Sequence, residues 1–211
     1  MKIIRYSEMD SLLMRCMETS GVGETVRAII ADVAKNGDAA LLAYGEKFDG
    51  AKLSCLQVSE QEIDEAMATI PPALKKAMEI AAENIRTFHS RQVRTGFEIK
   101  NEDGTVLGQK ITPVDRAGLY VPGGTAAYPS TVLMDAIPAK IAGCEKIVMA
   151  TPPGADGKIN PAILAAAKIA GVTDIFKMGG AQAVGALAYG TESVPKVDKI
   201  VGPGNAFVAE A

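Results

Sequence analysis

Apolar residues in the first part of the chain recur every three to four positions. Val22, Val26, Ile29, Ile30 and Val33 follow that spacing, the Asn36-Gly37-Asp38 turn interrupts it, and Leu41, Leu42, Tyr44 and Phe48 resume it. The pattern predicts two helices separated by a glycine break. Ser59 and Glu62 then form a Ser-x-x-Glu arrangement ahead of Ile63, Ala66, Met67 and Ile70. Such a pair marks a helix start, because each of the two satisfies an amide that the helix would otherwise leave orphaned. Pro71-Pro72 stops this helix and opens a longer one, with Leu74, Ala77, Met78, Ala81, Ile85 and Phe88 along one side and an end near Gln92.

From Phe97 to Ile111 the period changes. Phe97-Glu98-Ile99-Lys100, the turn Asn101-Glu102-Asp103-Gly104 and Thr105-Val106-Leu107 read as a hairpin joining two regions. Beyond it, short apolar runs end in Gly/Pro loops and are each followed by a helical segment. The runs are Ala117 to Val121, Lys146 to Ala150, Asp174 to Met178 and Asp198 to Val201, and the helices fall near 130–142, 160–170 and 181–189. Asn160-Pro161 is a good N-cap and first-turn pair, and Gly171 a good stop. Repeated strand, loop and helix with nearly continuous apolar strands implies a parallel sheet covered on both faces. The fold class is therefore α/β. A mostly helical region over 1–115, with a hairpin near 97–111, precedes an incomplete Rossmann-like parallel-sheet domain over 116–211, and the character of the chain changes at about 112–119.

Composition narrows the function. The chain has 211 residues, 48% hydrophobic and 22% charged, which excludes disorder as the main state. A net charge of -3 argues against nucleic acid or an acidic membrane face as partner, because no excess positive potential attracts phosphates. No stretch has the length and apolarity of a signal peptide or a membrane span. Cys16, Cys55 and Cys144 are odd in number and widely separated, which reads as reduced thiols in a cytoplasmic protein. His89 is the only histidine, so zinc or imidazole chemistry of the multi-histidine kind needs residues beyond Ala211 or a second chain. At the end of a helix, His89 itself reads as a packed or capping residue. The acidic cluster of Glu62, Asp64 and Glu65 reads as a solvated helix face.

An open parallel sheet binds ligands beyond the carboxyl ends of its strands, where loops converge and helix N-termini direct amides at anions. Here those loops are Val121-Pro122-Gly123-Gly124, Thr151-Pro152-Pro153-Gly154, Gly179-Gly180-Ala181-Gln182 and Gly202-Pro203-Gly204-Asn205. Glycine in them permits close approach of backbone to ligand, and equally serves tight turns with no ligand at all. Neither Gly-x-Gly-x-x-Gly after a strand nor a P-loop is present. The residues alone thus indicate an α/β domain with a small-molecule site at one edge of its sheet, with a non-catalytic module for a nucleotide or phosphorylated metabolite as the alternative to an enzyme.

Four long segments resemble histidinol dehydrogenase: Arg116 to Gly124, Tyr128 to Met134, Gly179 to Ala183 and Val197 to Val208. Gly37 to Leu41 and Phe88 to Gln92 fit the same family, so the likeness covers nearly the whole chain. It implies NAD-dependent oxidation of L-histidinol through histidinal to L-histidine, by an intertwined cytoplasmic homodimer with a substrate-positioning zinc ion. Tyr120, Gln182 and Asn205 match that family's NAD contacts; without the likeness they read as an interface tyrosine and two turn-capping amides. The family's catalytic Glu-His pair and zinc ligands (a Gln, an Asp and two His) lie downstream of the Gly-Pro-Gly-Asn segment. The resemblance therefore makes this chain the N-terminal portion of a longer enzyme, inactive by itself, with no catalytic or metal-binding residue of its own. It also predicts that apolar faces left uncovered at Glu210-Ala211 favour association.

Overall fold

The computed structural model of the chain describes residues 21–123 and 127–211. Helix α1 runs Gly23–Tyr44 and bends at Gly37, whose backbone angles (φ 52°, ψ -131°) lie outside the helical region, so two helical segments meet at the predicted break. A π-helical turn, Gly45–Asp49, extends it and closes on Gly50 in the left-handed conformation. Ser59 caps α2 (Glu60–Thr69) with the reciprocal box its sequence predicts: the Ser59 side chain accepts from the Glu62 amide and the Glu62 carboxylate accepts from the Ser59 amide. Pro71-Pro72 separates it from α3 (Pro72–His89), and a short 3-10 turn continues to Gln92.

The antiparallel strands β1 (Phe97–Lys100) and β2 (Val106–Gln109) form the hairpin, with Ile99 opposite Leu107 and Phe97 opposite Gln109. Then come β3 (Arg116–Tyr120), α4 (Pro129–Ala142), β4 (Lys146–Thr151), α5 (Pro161–Ala170), β5 (Asp174–Lys177), α6 (Gly180–Tyr189), β6 (Lys199–Val201) and α7 (Ala206–Glu210). Asn160 caps α5 by accepting from the Ala162 amide, and Gly171 ends it at φ 81°.

All four strands of the main sheet are parallel, in the order β5-β4-β3-β6. Alternate residues of each strand feed different cores. Leu119, Ile147, Met149 and Ile175 join the α4 and α5 side chains, over which α2 and α3 pack through Ala66, Ile70, Met78 and Ala82. Tyr120, Val148, Ala150 and Phe176 face the other way, toward Ala183, Ala186 and Leu187 of α6 and Val33, Ala40 and Leu41 of α1. Burial on both faces explains why the strands read as unbroken apolar runs. The segment before α2 also shields one edge: the Val58 amide donates to the Ile175 carbonyl and the Lys177 amide to the Leu56 carbonyl. Covering an outer strand in this way removes a template for unwanted pairing.

Two of the apolar stripes differ from their predicted course. In α3 the buried positions are Met78 and Ala82, whereas Leu74, Ala77 and Phe88 are exposed. The helix has more apolar positions than one packed face can seat, and the side that carries Met78, Ala81, Ala82 and Ile85 is the one that packs on the core with α4 and α5. Phe48 is 51% exposed because the π-helical turn inserts an extra residue and rotates it off the stripe that buries Leu41. In the hairpin every strand residue is exposed, including Phe97, Ile99 and Leu107, which share one side.

Candidate functional site

Strands β3, β4 and β5 succeed one another in one direction across the sheet, and the crossover through α6 then places β6 on the far side of β3. This reversal of strand order is the topological switch point, where the loops leaving β3 and β6 diverge and open a crevice. A cavity of about 1100 Å³ occupies that position, and Tyr120, Gln182 and Asn205 all line it. The sheet thus brings together three side chains that lie 62 and 23 residues apart in sequence (182 − 120; 205 − 182).

Tyr120 ends β3 and is buried, and its hydroxyl oxygen accepts from the Gly180 amide at 3.0 Å. Burial raises the hydroxyl's pKa, the Gly180 amide opposes this, and the negative charge of Asp49 adds to the rise. The phenol therefore stays protonated at neutral pH and keeps a proton to donate. Gln182, only 3% exposed, sits in the first turn of α6. That helix begins at Gly179-Gly180 with no side-chain cap; the Gly180 amide goes to Tyr120, which leaves the next amides of the first turn to face an anion in the cavity. Gly180 has φ +64°, and a Cβ there would stand 2.7 Å from Gln182 Oε1. Glycine is what lets the glutamine fold back over the helix start. Asn205 caps α7: its Oδ1 accepts from the Phe207 and Val208 amides at 3.1 and 3.2 Å. The capping role read from sequence is thus present, and it leaves the Nδ2 donors for another partner. One turn holds the arrangement shut, since a Cβ on Gly202 (φ +137°) would run into the Tyr120 carbonyl oxygen.

The opposite wall comes from the helical segment: Thr25 and Ile29 of α1, then Phe48 and Asp49 of the π-helical turn. Sequence reading missed Phe48 and Asp49 as site residues. Phe48 looked like one more core position of a helical stripe, and Asp49 carried no signal at all. The ring of Phe48 lies parallel to Tyr44, 5.5 Å between centroids. The Asp49 carboxyl has its pKa raised by burial alone, and its Oδ2 is buried without a hydrogen-bond partner among the described residues.

His89 lies away from this cavity. Its Nδ1 is 2.7 Å from Gln92 Oε1 and its ring meets Phe88 edge-on, as befits a residue finishing a helix. Among the described residues there is no group of three or more His, Cys, Asp or Glu side chains that could hold a metal ion. No helix among them is long and apolar enough to cross a membrane.

The sequence profile of histidinol dehydrogenase matches residues 14–211. The chain belongs to the histidinol dehydrogenase family. Among relatives carrying that name, the protein of Methanosarcina mazei is 52% identical over 209 residues, covering 99% of this chain and 48% of its own length. The protein of Lactiplantibacillus plantarum is 56% identical over 190 residues, covering 90% of this chain and 44% of its own. The crystal structure of histidinol dehydrogenase from Elizabethkingia anophelis superposes with a TM-score of 0.90 at 40% identity, over 98% of this chain and 48% of that one. The chain thus spans about half the length of the histidinol dehydrogenases it matches, and the name places it in a family of oxidoreductases.

Proposed function

We propose that the chain supplies the NAD-binding part of a histidinol dehydrogenase, whose full length oxidises L-histidinol through histidinal to L-histidine in two NAD-dependent steps at the end of histidine biosynthesis. The convergence of Tyr120, Gln182 and Asn205 on one cavity at the switch point of a parallel sheet carries this reading. The donors there suit a dinucleotide: a protonated phenol, the first-turn amides of α6 beyond Gly180 and the Asn205 Nδ2. Bound NAD would supply the hydride acceptor. The chain's own part is to hold it, with the tyrosine and the two amides giving hydrogen bonds to ribose or phosphate and the proline-rich β4 loop excluding water.

Zinc does not fit the described residues, so no step is assigned to it here. Its ligands and the catalytic Glu-His pair belong to the part of the family's chain downstream of Asn205, and the 211-residue chain alone should not turn over histidinol. The cytoplasm suits its few thiols, of which Cys55 is exposed and Cys144 buried, both free. A homodimer would cover the apolar side of the hairpin.

Titration calorimetry with NAD tests the reading. Asn205→Asp keeps a cap acceptor while removing the Nδ2 donor, and Asn205→Ala removes both. Both variants should bind NAD at least about tenfold more weakly, the value of one charge-assisted or well-aligned hydrogen bond. Binding equal to that of the unmodified protein refutes the site.

A further inference from the structure

Doubly wound sheets that bind dinucleotides usually carry an acidic residue just beyond the second strand of the βαβ unit, where it accepts from the ribose hydroxyls of the adenosine half. In this chain β4 is that second strand, and its carboxyl end reads Thr151-Pro152-Pro153-Gly154. No carboxylate stands at the strand end. Asp156, further along the loop, also lines the cavity, but it is exposed and its Oδ1 accepts from the Lys158 amide, which holds a turn.

A carboxylate nevertheless reaches this place from outside the sheet. Gly50 abuts the same loop, since a Cβ on it would lie 3.8 Å from Ala155 Cβ, and Gly157 of the loop faces Leu53 in the same way at 3.1 Å. The adjoining Asp49 lines the cavity together with Tyr120, Pro152 and Pro153. No ion pair or hydrogen bond within the described residues offsets the burial of its carboxyl. A buried acceptor without a donor is costly, and a hydroxyl donated by a ligand in the cavity would offset that cost. Beside it, Phe48 offers a half-exposed apolar ring at the cavity wall.

We infer that Asp49 is the specificity residue of the cofactor site: its carboxylate accepts hydrogen bonds from the adenosine ribose hydroxyls of the dinucleotide, replacing the acidic residue absent from the end of β4. This role rests on the NAD reading above. A hydroxyl can donate to the carboxylate. A 2′-phosphate cannot donate when ionised and adds two like charges, so the site selects NAD over NADP.

The decisive experiment measures the affinities of NAD, NADP and NAD lacking the adenosine 2′-hydroxyl by titration calorimetry, for the unmodified protein and for Asp49→Asn and Asp49→Ser. Thermal melts confirm that each variant folds. The unmodified protein should prefer NAD over NADP by at least about tenfold. Both variants should lose about tenfold toward NAD, show a preference for NAD over NADP reduced to within about threefold, and no longer distinguish NAD from its 2′-deoxy analogue. If the variants bind NAD as the unmodified protein does while Asn205→Asp binds it poorly, the Asp49 role is overturned and the cofactor site stands. If the unmodified protein does not bind NAD, both fall. A variant that still excludes NADP as strongly as before overturns the selectivity argument by itself.

Discussion

Replacing Asp135 by Asn should stabilise the protein, by an amount that depends on pH. Asp135 lies on α4 between Leu133 and Ala136, both buried, and its Oδ2 is buried with no hydrogen-bond partner among the described residues. Burial pushes its carboxyl from the ordinary 3.8 up to about 6. At about 1.4 kcal/mol per pH unit, that difference corresponds to about 3 kcal/mol of opposition to ionisation in the folded state. The side chain is not fully enclosed, so water screens part of this and about 1–2 kcal/mol is the realistic figure. The folded pKa is raised, so at pH below the unfolded value both states are protonated and there is no penalty. As pH rises, the unfolded chain ionises first and is favoured, and above about 6 the whole penalty is present. Asp135→Asn should therefore raise Tm by about 2–8 °C at neutral pH, given about 2–4 °C per kcal/mol at this chain length. The gain should shrink toward zero near pH 4. Thermal melts followed by far-ultraviolet circular dichroism, in steps of about one pH unit from about 4 to about 7, trace the curve. A gain of constant size across that range would refute the titration argument, because it would show that packing rather than charge separates the two proteins.

Three further outcomes follow from named contacts. Gly202→Ala should cost at least about 2–4 kcal/mol in denaturant unfolding, because the residue sits at φ +137° and the added Cβ meets the Tyr120 carbonyl; a variant as stable as the parent would show that the turn is not held as described. The Lys177 ammonium is 2.5 Å from the Glu62 carboxylate, with the lysine side chain 12% exposed. A double-mutant cycle of Lys177→Met and Glu62→Gln should give a coupling of about 1–2 kcal/mol. Burial pushes the Glu62 carboxyl up, but Lys177 and Ser59 outweigh it and hold the pKa below the ordinary 4.5, so the coupling is fully present above that pH and disappears as pH falls through the lowered value; a coupling that survives in acid counts against the ion pair. If the proposed homodimer forms through the exposed side of the hairpin, Ile99→Lys should weaken its self-association at least about tenfold in sedimentation equilibrium while leaving Tm within about 2 °C, and unchanged association would exclude that side as the contact.

What could be read from sequence depended on the range of the interaction that fixed it. The Ser59-Glu62 box, the Asn160-Pro161 start, the Gly171 stop and the Gly37 bend are decided within a few residues, and each appears where the sequence placed it. The parallel sheet was legible because burial on both faces leaves unbroken apolar strands. Periodicity misread Leu74, Ala77, Phe88 and Phe48, because it reports that a stripe exists and not which of several stripes a partner helix will cover. Phe48 shows this most plainly: a π-helical turn, which no local signal announces, turned a presumed core residue into cavity wall.

The same distinction governs the candidate site. Tyr120, Gln182 and Asn205 sit at strand ends or helix starts, but the strand pattern alone reads them as an interface tyrosine and two turn-capping amides, and only the family likeness singles them out. Asp49 has no such address. It reaches the cavity only because α1 packs on α6 and thereby carries the π-helical turn against the β4 loop. A helical segment that looks like scaffolding in sequence thus builds one wall of the site, and mutations along the α1–α6 contact should alter ligand affinity without touching the ligand. The strand edge places Tyr120, Gln182 and Asn205, the packing of α1 places Asp49, and only the three-dimensional structure brings the two sets into a single cavity.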